Sequence, residues 1–307
     1  MTERPLVVGL GPVPAEIVCP VLGDDVDFAP EPTAEELTRA DGAIVRAAAP
    51  VGAGELAAMP ALKVIARTGV GYNLVDVDAA AARGIPVAIT PGSNTNAVAE
   101  GVFAHLLHLT KRLGPLTRLV REGRWDERGE VVVGDLEEAT LGIVGYGRIG
   151  RRVHRIAEAF GMRVVAYDPV AEIPDGIRAA SLEGLLESSD AVTLHLPLLP
   201  ETRGLIGEAE LGRMRPSSIL LNLSRGGLLD EDAVLAALET GRLAGVGLDA
   251  FEPEPPADHP LYHHPSVVLS PHLMGLSTRA AEATFVDAAQ AVRDVLDGGS
   301  PRFVVRA

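Results

Sequence analysis

The sequence predicts an α/β protein of two domains, each wound around a parallel sheet. Three observations carry this. Short apolar runs alternate with helical or glycine-rich stretches from Leu6 to Leu269, as strands joined by crossover helices do. The run Leu141–Val144 enters Gly145-x-Gly147-x-x-Gly150, a helical stretch follows, and a second run, Arg163–Tyr167, ends at Asp168. The chain has 307 residues, beyond what one hydrophobic core usually organises.

Leu6–Leu10 reads as the first strand, with a proline-rich segment from there to Pro20. Thr33-Ala34-Glu35-Glu36 has the form of a capping box and opens a short helix. Ala43–Val45, Val64–Ala66 and Val87–Ile89 read as further strands. From Thr95 to Leu113, Val98, Val102, Leu106 and Leu109 share one helical face, which indicates a connector helix between domains. Later strands fall at Ala191–Leu194, Ile219–Asn222, Gly245–Leu248 and Val267–Leu269. Among them, Asp230 is placed to cap a helix and Gly241 to end it. A last helix, Thr278–Leu296, and the tail Arg302–Val305 are expected to return to the first domain. The expected domains are therefore 1–95 with 276–307, and 96–275.

Each part of the glycine motif has a physical task. Gly145 permits a tight turn, Gly147 lets the backbone approach a pyrophosphate, and Gly150 lets helix and strand pack closely. The first N–H groups of the helix and its dipole face the anion. Asp168 follows Gly150 by 18 residues, near the ~20 at which an acid binds the adenosine ribose. The stretch therefore points to a dinucleotide. The charge of Asp168 opposes a 2′-phosphate and Pro169 offers no counter-charge, so NAD is expected rather than NADP.

Composition narrows the partners. With 47% hydrophobic but only 4% aromatic residues, the cores must be built from Ala, Val and Leu. A net charge of −15 argues against nucleic acid or an anionic membrane surface. Cys19 is the only cysteine, so no internal disulfide is possible and a reducing compartment fits. Met1–Pro5 has no signal-peptide character and no apolar stretch reaches membrane-spanning length, so a cytoplasmic location is expected. His259, His263 and His264 cluster without further ligands at metal spacing, and no metal is expected. His105, His108 and His154 read as packing or surface residues.

From about Val45 to Thr278 the chain resembles the D-isomer-specific 2-hydroxyacid dehydrogenases. The motifs are Gly69-Val70-Gly71 with Asp76, Asn94-Thr95-x-x-Val98-Ala99-Glu100, the glycine motif and His195-x-Pro197-Leu198-x-Pro200-x-Thr202. After them come Asn222-x-x-Arg225-Gly226-Gly227 with Asp230, Asp249-x-Phe251-x-x-Glu254-Pro255 and Pro271-His272-x-x-Gly275-x-x-Thr278. Ile44-Val45-Arg46 and Ala66-Arg67-x-Gly69-Val70-Gly71 look most like phosphoglycerate dehydrogenases, in a short form without their regulatory domains. The resemblance implies a discontinuous, flavodoxin-like substrate domain, an NAD-binding Rossmann domain and a homodimer built on the latter. It also implies hydride transfer between NAD(H) and a D-2-hydroxy acid or its 2-keto acid.

In this family a histidine, an acid and an arginine perform the chemistry, here His272, Glu254 and Arg225. His272 takes the hydroxyl proton as hydride leaves, or returns it in reduction. Glu254 fixes the imidazole tautomer, and Arg225 grips the substrate carboxylate with a planar fork that lysine lacks. The resemblance further assigns pyrophosphate contact to the backbone of Arg148 and Ile149, and the adenine side to Leu196, Pro197 and Thr202. Leu223, Ser224, Asp249 and Gly275 surround the nicotinamide, Asp249 through its carboxamide. Arg46, Arg67, Val70 and Gly71 face the substrate.

Two departures touch the substrate. Asn73-Leu74-Val75-Asp76 replaces the usual Asp-Asn before Val/Ile-Asp, and Asp126-Glu127-Arg128-Gly129-Glu130 stands where some phosphoglycerate enzymes are strongly basic. Phosphoglycerate is therefore favoured only slightly over glyoxylate or hydroxypyruvate. Formate and phosphite, to which related enzymes are adapted, gain little support. An NAD(H)-sensing protein resembling the family's corepressors is the alternative of another kind.

Overall fold

The computed structural model describes residues 4–46 and 48–305, so Met1–Glu3 of the N-terminal segment lie outside the described residues. The chain divides into two compact units, Met1–Asn94 with Leu276–Ala307, and Thr95–Gly275.

In the first unit β1 (Leu6–Leu10), α1 (Ala15–Leu22), β2 (Asp27–Ala29), α2 (Ala34–Arg39) and β3 (Gly42–Val45) come first. Next are α3 (Ala53–Ala58), β4 (Val64–Arg67), α4 (Val77–Ala82) and β5 (Val87–Ile89). The five strands are parallel in the order β2-β1-β3-β4-β5, a doubly wound sheet. β3 and β4 are buried along their whole length, because helices cover both faces and leave no side for polar residues. Thr33 caps α2 as expected, accepting from the Glu36 N–H at 3.3 Å while the Glu36 carboxylate accepts from the Thr33 N–H at 2.7 Å.

Two readings need correction here. The proline-rich segment holds a helix, α1, with Pro20 inside it. An interior proline costs about 3 kcal/mol, but burying Val18 and Leu22 completely returns roughly 1.5–3 kcal/mol each. The short strand β2 at the sheet edge gave too little alternation to be read.

In the second unit α5 (Thr95–Thr110) and α6 (Leu113–Arg121) precede the sheet. The expected connector helix is present as α5 but stops at Thr110, short of Leu113; Arg112 adopts φ 52° and a second helix, α6, begins at Leu113. Then come β6 (Thr140–Val144), α7 (Arg148–Ala159), β7 (Arg163–Tyr167), α8 (Leu182–Ser188) and β8 (Ala191–Leu194). α9 (Glu208–Arg213), β9 (Ser218–Asn222), α10 (Glu231–Glu239), β10 (Leu243–Leu248), α11 (Pro260–His263) and β11 (Val267–Leu269) complete it. Asp230 caps α10 by accepting from the Ala233 N–H at 3.1 Å, and Gly241 follows the helix at φ 71°.

All six strands of this unit are parallel in the order β11-β10-β9-β8-β6-β7. The winding reverses between β6 and β8, so the carboxyl ends of these strands form the crevice where such sheets take ligands. Beyond β7 a lone parallel bridge, Ala166 to Arg178, stands where a longer Rossmann sheet has one more strand.

α12 (Thr278–Leu296) belongs to the first unit and lies against α1, β3 and β4. A Cβ on Gly42 would come within 2.7 Å of Val292, so α12 can sit this close to β3 only over a glycine. No helix among the described residues is long and apolar enough to cross a membrane.

Candidate active site

The glycine motif follows β6 at the switch point. Gly145 has φ 95°, and a Cβ there would lie 2.5 Å from the His195 carbonyl oxygen, so the loops after β6 and β8 touch backbone to backbone. A Cβ on Gly150 would lie 2.2 Å from the Gly145 carbonyl oxygen, which fixes glycine at the third position. A Cβ on Gly147 would meet nothing within 4 Å. That open space lies at the amino end of α7, beside exposed Arg148 and half-buried Ile149, and suits a pyrophosphate.

Asp168 is half-buried at the end of β7 and accepts three backbone bonds: Tyr146 N–H at 2.7 Å and Val170 and Ala171 N–H at 2.8 Å each. Burial works to raise its pKa, but the three bonds and nearby Arg151 outweigh that and leave it lowered. The aspartate is therefore a fixed anion with lone pairs left for a ribose diol. Tyr146 is buried and held in turn, its hydroxyl 2.6 Å from His154 Nδ1 and its carbonyl accepting from Arg151. The Thr202 hydroxyl donates to the Pro197 carbonyl at 2.7 Å and accepts from the Leu199 N–H at 2.8 Å. It shapes the loop after β8 on which half-buried Leu196 and exposed Pro197 lie.

After β9, fully buried Asn222 acts as a template for the loop that follows. Its amide donates to the Arg225 carbonyl at 2.7 Å, and its oxygen accepts from the Ser224 N–H at 3.2 Å. Leu223 is buried, while Ser224 and Arg225 are half-buried. A Cβ on Gly226 would lie 2.1 Å from the carbonyl carbon of Phe251, so the Arg225 loop is pressed against the loop that carries Glu254.

Both oxygens of Glu254 lie 2.8 Å from His272 Nδ1, and Oε1 also accepts from the Phe251 N–H at 3.0 Å. This fixes the imidazole with its proton on Nδ1 and leaves Nε2 for a substrate. His272 has φ 54°, a left-handed conformation that costs a side-chain-bearing residue about 1–2 kcal/mol. Its surroundings enforce the strain: Leu273 and Met274 donate to the Asp249 carboxylate at 3.0 and 3.1 Å. Asp249 is 2% exposed and also accepts from the Ser270 hydroxyl at 2.6 Å. Three of its four lone-pair sites are thus taken inside the protein. Half-buried Gly275 closes this loop.

A cavity of about 450 Å³ opens beside the pair, lined by Phe251, Glu254, Tyr262, Leu269 and His272. A larger one of about 690 Å³ lies in the first unit against Gly9–Pro14 and Pro30–Pro32. Its prolines have no N–H to offer and Glu31 is its one titratable lining group, whereas the smaller cavity is lined by both members of the His272–Glu254 pair.

In the first unit Arg67 is only 4% exposed, and its Nη1 donates to the Val45 and Thr68 carbonyls at 3.4 Å each. Burial, helped by the charge of Arg46, pushes its pKa down to about 10. Arg46 is half-buried with its guanidinium 5.2 Å from the Phe285 ring centre. Gly69 turns the chain at φ 105° and donates to Thr90 Oγ1 at 2.7 Å, leaving Val70 exposed and Gly71 half-buried.

Sequence reasoning singled out neither Ser270 nor Tyr146, and gave His105 no partner. Their importance lies in contacts between strands that no spacing encodes. Among the described residues, no group of three or more His, Cys, Asp or Glu could hold a metal ion.

Residues 103–274 match the family model described as "D-isomer specific 2-hydroxyacid dehydrogenase, NAD binding domain". A D-3-phosphoglycerate dehydrogenase of Mycobacterium bovis is 41% identical over 265 residues, 84% of this chain and 50% of that one. A glyoxylate reductase of Korarchaeum cryptofilum is 44% identical over 247 residues, 77% of this chain and 74% of that one. The D-lactate dehydrogenase of Aquifex aeolicus, solved with NAD and lactic acid, superposes with a TM-score of 0.80 at 28% identity, over 95% of this chain and 96% of that one. The chain spans about half the length of the phosphoglycerate dehydrogenases it matches. With the NAD-binding domain matched at the same stretch that forms the glycine cradle and the His272–Glu254 pair, this chain belongs to the D-isomer specific 2-hydroxyacid dehydrogenase family.

Proposed function

We propose that this protein is an NAD-dependent dehydrogenase that interconverts a D-2-hydroxy acid and its 2-keto acid. The observation that carries the reading is the His272–Glu254 contact at 2.8 Å, in the unit that holds the dinucleotide cradle. The residues present fit NAD: open space before Gly147, the amino end of α7, and a fixed carboxylate at Asp168. The remaining lone pair of Asp249 is its means of meeting a carboxamide. When bound, the nicotinamide supplies or accepts the hydride.

The chain's own residues do the rest. Arg225 binds the substrate carboxylate through its guanidinium fork and holds the 2-carbon in place. His272 Nε2 takes the hydroxyl proton in oxidation and returns it in reduction, and Glu254 stabilises the imidazolium that exists between these events. In the first unit Arg46 and Arg67 place two cations near one another in a protein of net charge −15. Such a pair is relieved by an anionic group, and this supports a slight preference for a phosphorylated three-carbon acid over glyoxylate or hydroxypyruvate. Val70 and Gly71 serve the same substrate through backbone N–H groups.

A homodimer through the second unit goes with this reading. Val120, Trp125 and Val132 are 63, 60 and 84% exposed within one short stretch, apolar side chains of the kind a partner copy covers. A cytoplasmic location also fits, with Cys19 a free thiol. The test is NADH consumption with hydroxypyruvate, glyoxylate, pyruvate, 2-ketoglutarate and phosphohydroxypyruvate, beside a His272→Gln control. Turnover of at least one acid, reduced ~10²-fold or more in the control, is the expected outcome. NADH binding without turnover of any of them favours the NAD(H)-sensing alternative.

A further inference from the structure

α5 carries a buried histidine that the proposed chemistry does not use. His105 is 4% exposed, and its Nε2 lies 3.0 Å from Ser270 Oγ. The Ser270 hydroxyl lies 2.6 Å from Asp249 Oδ1, and a carboxylate can only accept, so the serine spends its proton there. The serine oxygen must then accept from His105, which places the imidazole proton on Nε2. His105 Nδ1 is left as a bare acceptor, buried with no hydrogen-bond partner. It points at Gly247 of β10, where an added Cβ would lie 2.8 Å away. A second ring proton would be stranded there, so the ring is neutral. Burial lowers its pKa; Asp249 opposes that and His108 adds to it.

We propose that His105 is a positioning residue for the catalytic loop, acting through Ser270 and Asp249 on the backbone of His272. Ser270 is the pivot. Its N–H donates to the Leu248 carbonyl at 3.0 Å, its carbonyl accepts from the His272 N–H at 3.0 Å, and its hydroxyl joins His105 to Asp249. Asp249 in turn holds the two N–H groups after His272, on the far side of the left-handed residue. A strained residue keeps its conformation only when its neighbours over-determine it. With His105 removed, the serine oxygen loses the donor that orients its hydroxyl towards Asp249, and the carboxylate that holds the backbone after His272 is fixed less firmly. The second support of this loop is steric: Met274 fills a notch at Gly101 of α5, where a Cβ would come within 2.6 Å.

The inference rests on His272 being the proton carrier, and the experiment separates the two. His105→Leu removes the donor, whereas His105→Gln keeps an N–H at the position of Nε2. Expected for His105→Leu is a kcat about tenfold lower, the loss of one neutral hydrogen bond. The acidic limb of its pH–kcat profile shifts, while KM for the keto acid stays within about threefold. His105→Gln is expected to recover most of the turnover and the wild-type profile. Ser270→Ala carries the same expectation as His105→Leu and stands in for it if that variant does not fold. Equal impairment of the Leu and Gln variants overturns the proposal, as does a wild-type pH profile in folded His105→Leu. If His272→Gln, assayed in parallel, keeps its turnover, the acid–base assignment has failed. If it is inactive while His105→Leu titrates like wild type, only the role of His105 has.

Discussion

Replacing Asp168 with alanine should turn the cofactor preference from NADH towards NADPH, and the geometry sets the scale. The carboxylate is held by three backbone N–H groups at 2.7–2.8 Å, so it is ionised and aimed before any ligand arrives. Two ribose hydroxyls donating to it would form charge-assisted bonds worth roughly 1.5–3 kcal/mol each. Losing both at the low end costs about 3 kcal/mol, or ~10²-fold in NADH affinity. The same change removes an anion from the place of a 2′-phosphate, where like charges ~4 Å apart repel by about 4 kcal/mol at an effective dielectric of 20. It also frees the Tyr146, Val170 and Ala171 N–H groups beside Arg151, a ready nest for phosphate oxygens. The ratio of kcat/KM for NADPH to that for NADH should therefore rise at least ~10²-fold. A wild-type enzyme that prefers NADPH would refute the cofactor argument, and an unchanged ratio in the variant would show that another residue holds the ribose.

Three further outcomes are expected. Arg46→Ala should raise KM for phosphohydroxypyruvate at least ~10-fold, one charge-assisted contact, and barely change that for hydroxypyruvate; equal effects would remove the phosphate argument. Gly150→Ala places a methyl 2.2 Å from the Gly145 carbonyl, so Tm should fall by several degrees and NADH binding should weaken, as calorimetry and fluorescence titration would report. Stability should begin to fall below pH 6.5, because burial lowers the His195 pKa to about 3 while the unfolded chain protonates the ring at its ordinary value. Protons then favour the unfolded state throughout the window from 6.5 down to 3, at most ~2 kcal/mol by pH 5. Urea denaturation of His195→Phe should lack that early loss, and an identical pH dependence would place its origin elsewhere.

The readable parts of this protein are those in which a few neighbouring residues suffice. Strand runs such as Leu141–Val144 and Ala191–Leu194 are apolar because both faces of a parallel sheet are covered, and composition alone reveals that. The cap at Asp230 acts over three residues, and Gly150 is fixed by a carbonyl five residues before it. The pairing of His272 with Glu254 was legible too, though only through a family resemblance and not from spacing.

What tertiary structure decided are the meetings of residues far apart in sequence. His105 and Ser270 are 165 residues apart, and Asp249 is 24 from the N–H of Leu273. Their contact depends on β9, β10 and β11 lying side by side and on α5 descending over the glycines of β10. Periodicity shows which face of an element is buried, but not which partner lies across it. The same applies to Arg67, whose Nη1 reaches the Val45 and Thr68 carbonyls, and to α1, a helix kept through an interior proline by what it buries. The amino-acid sequence determined the local backbone and which faces are buried; the order and register of the strands decided which polar groups share one buried network, because only they set distances between residues remote along the chain.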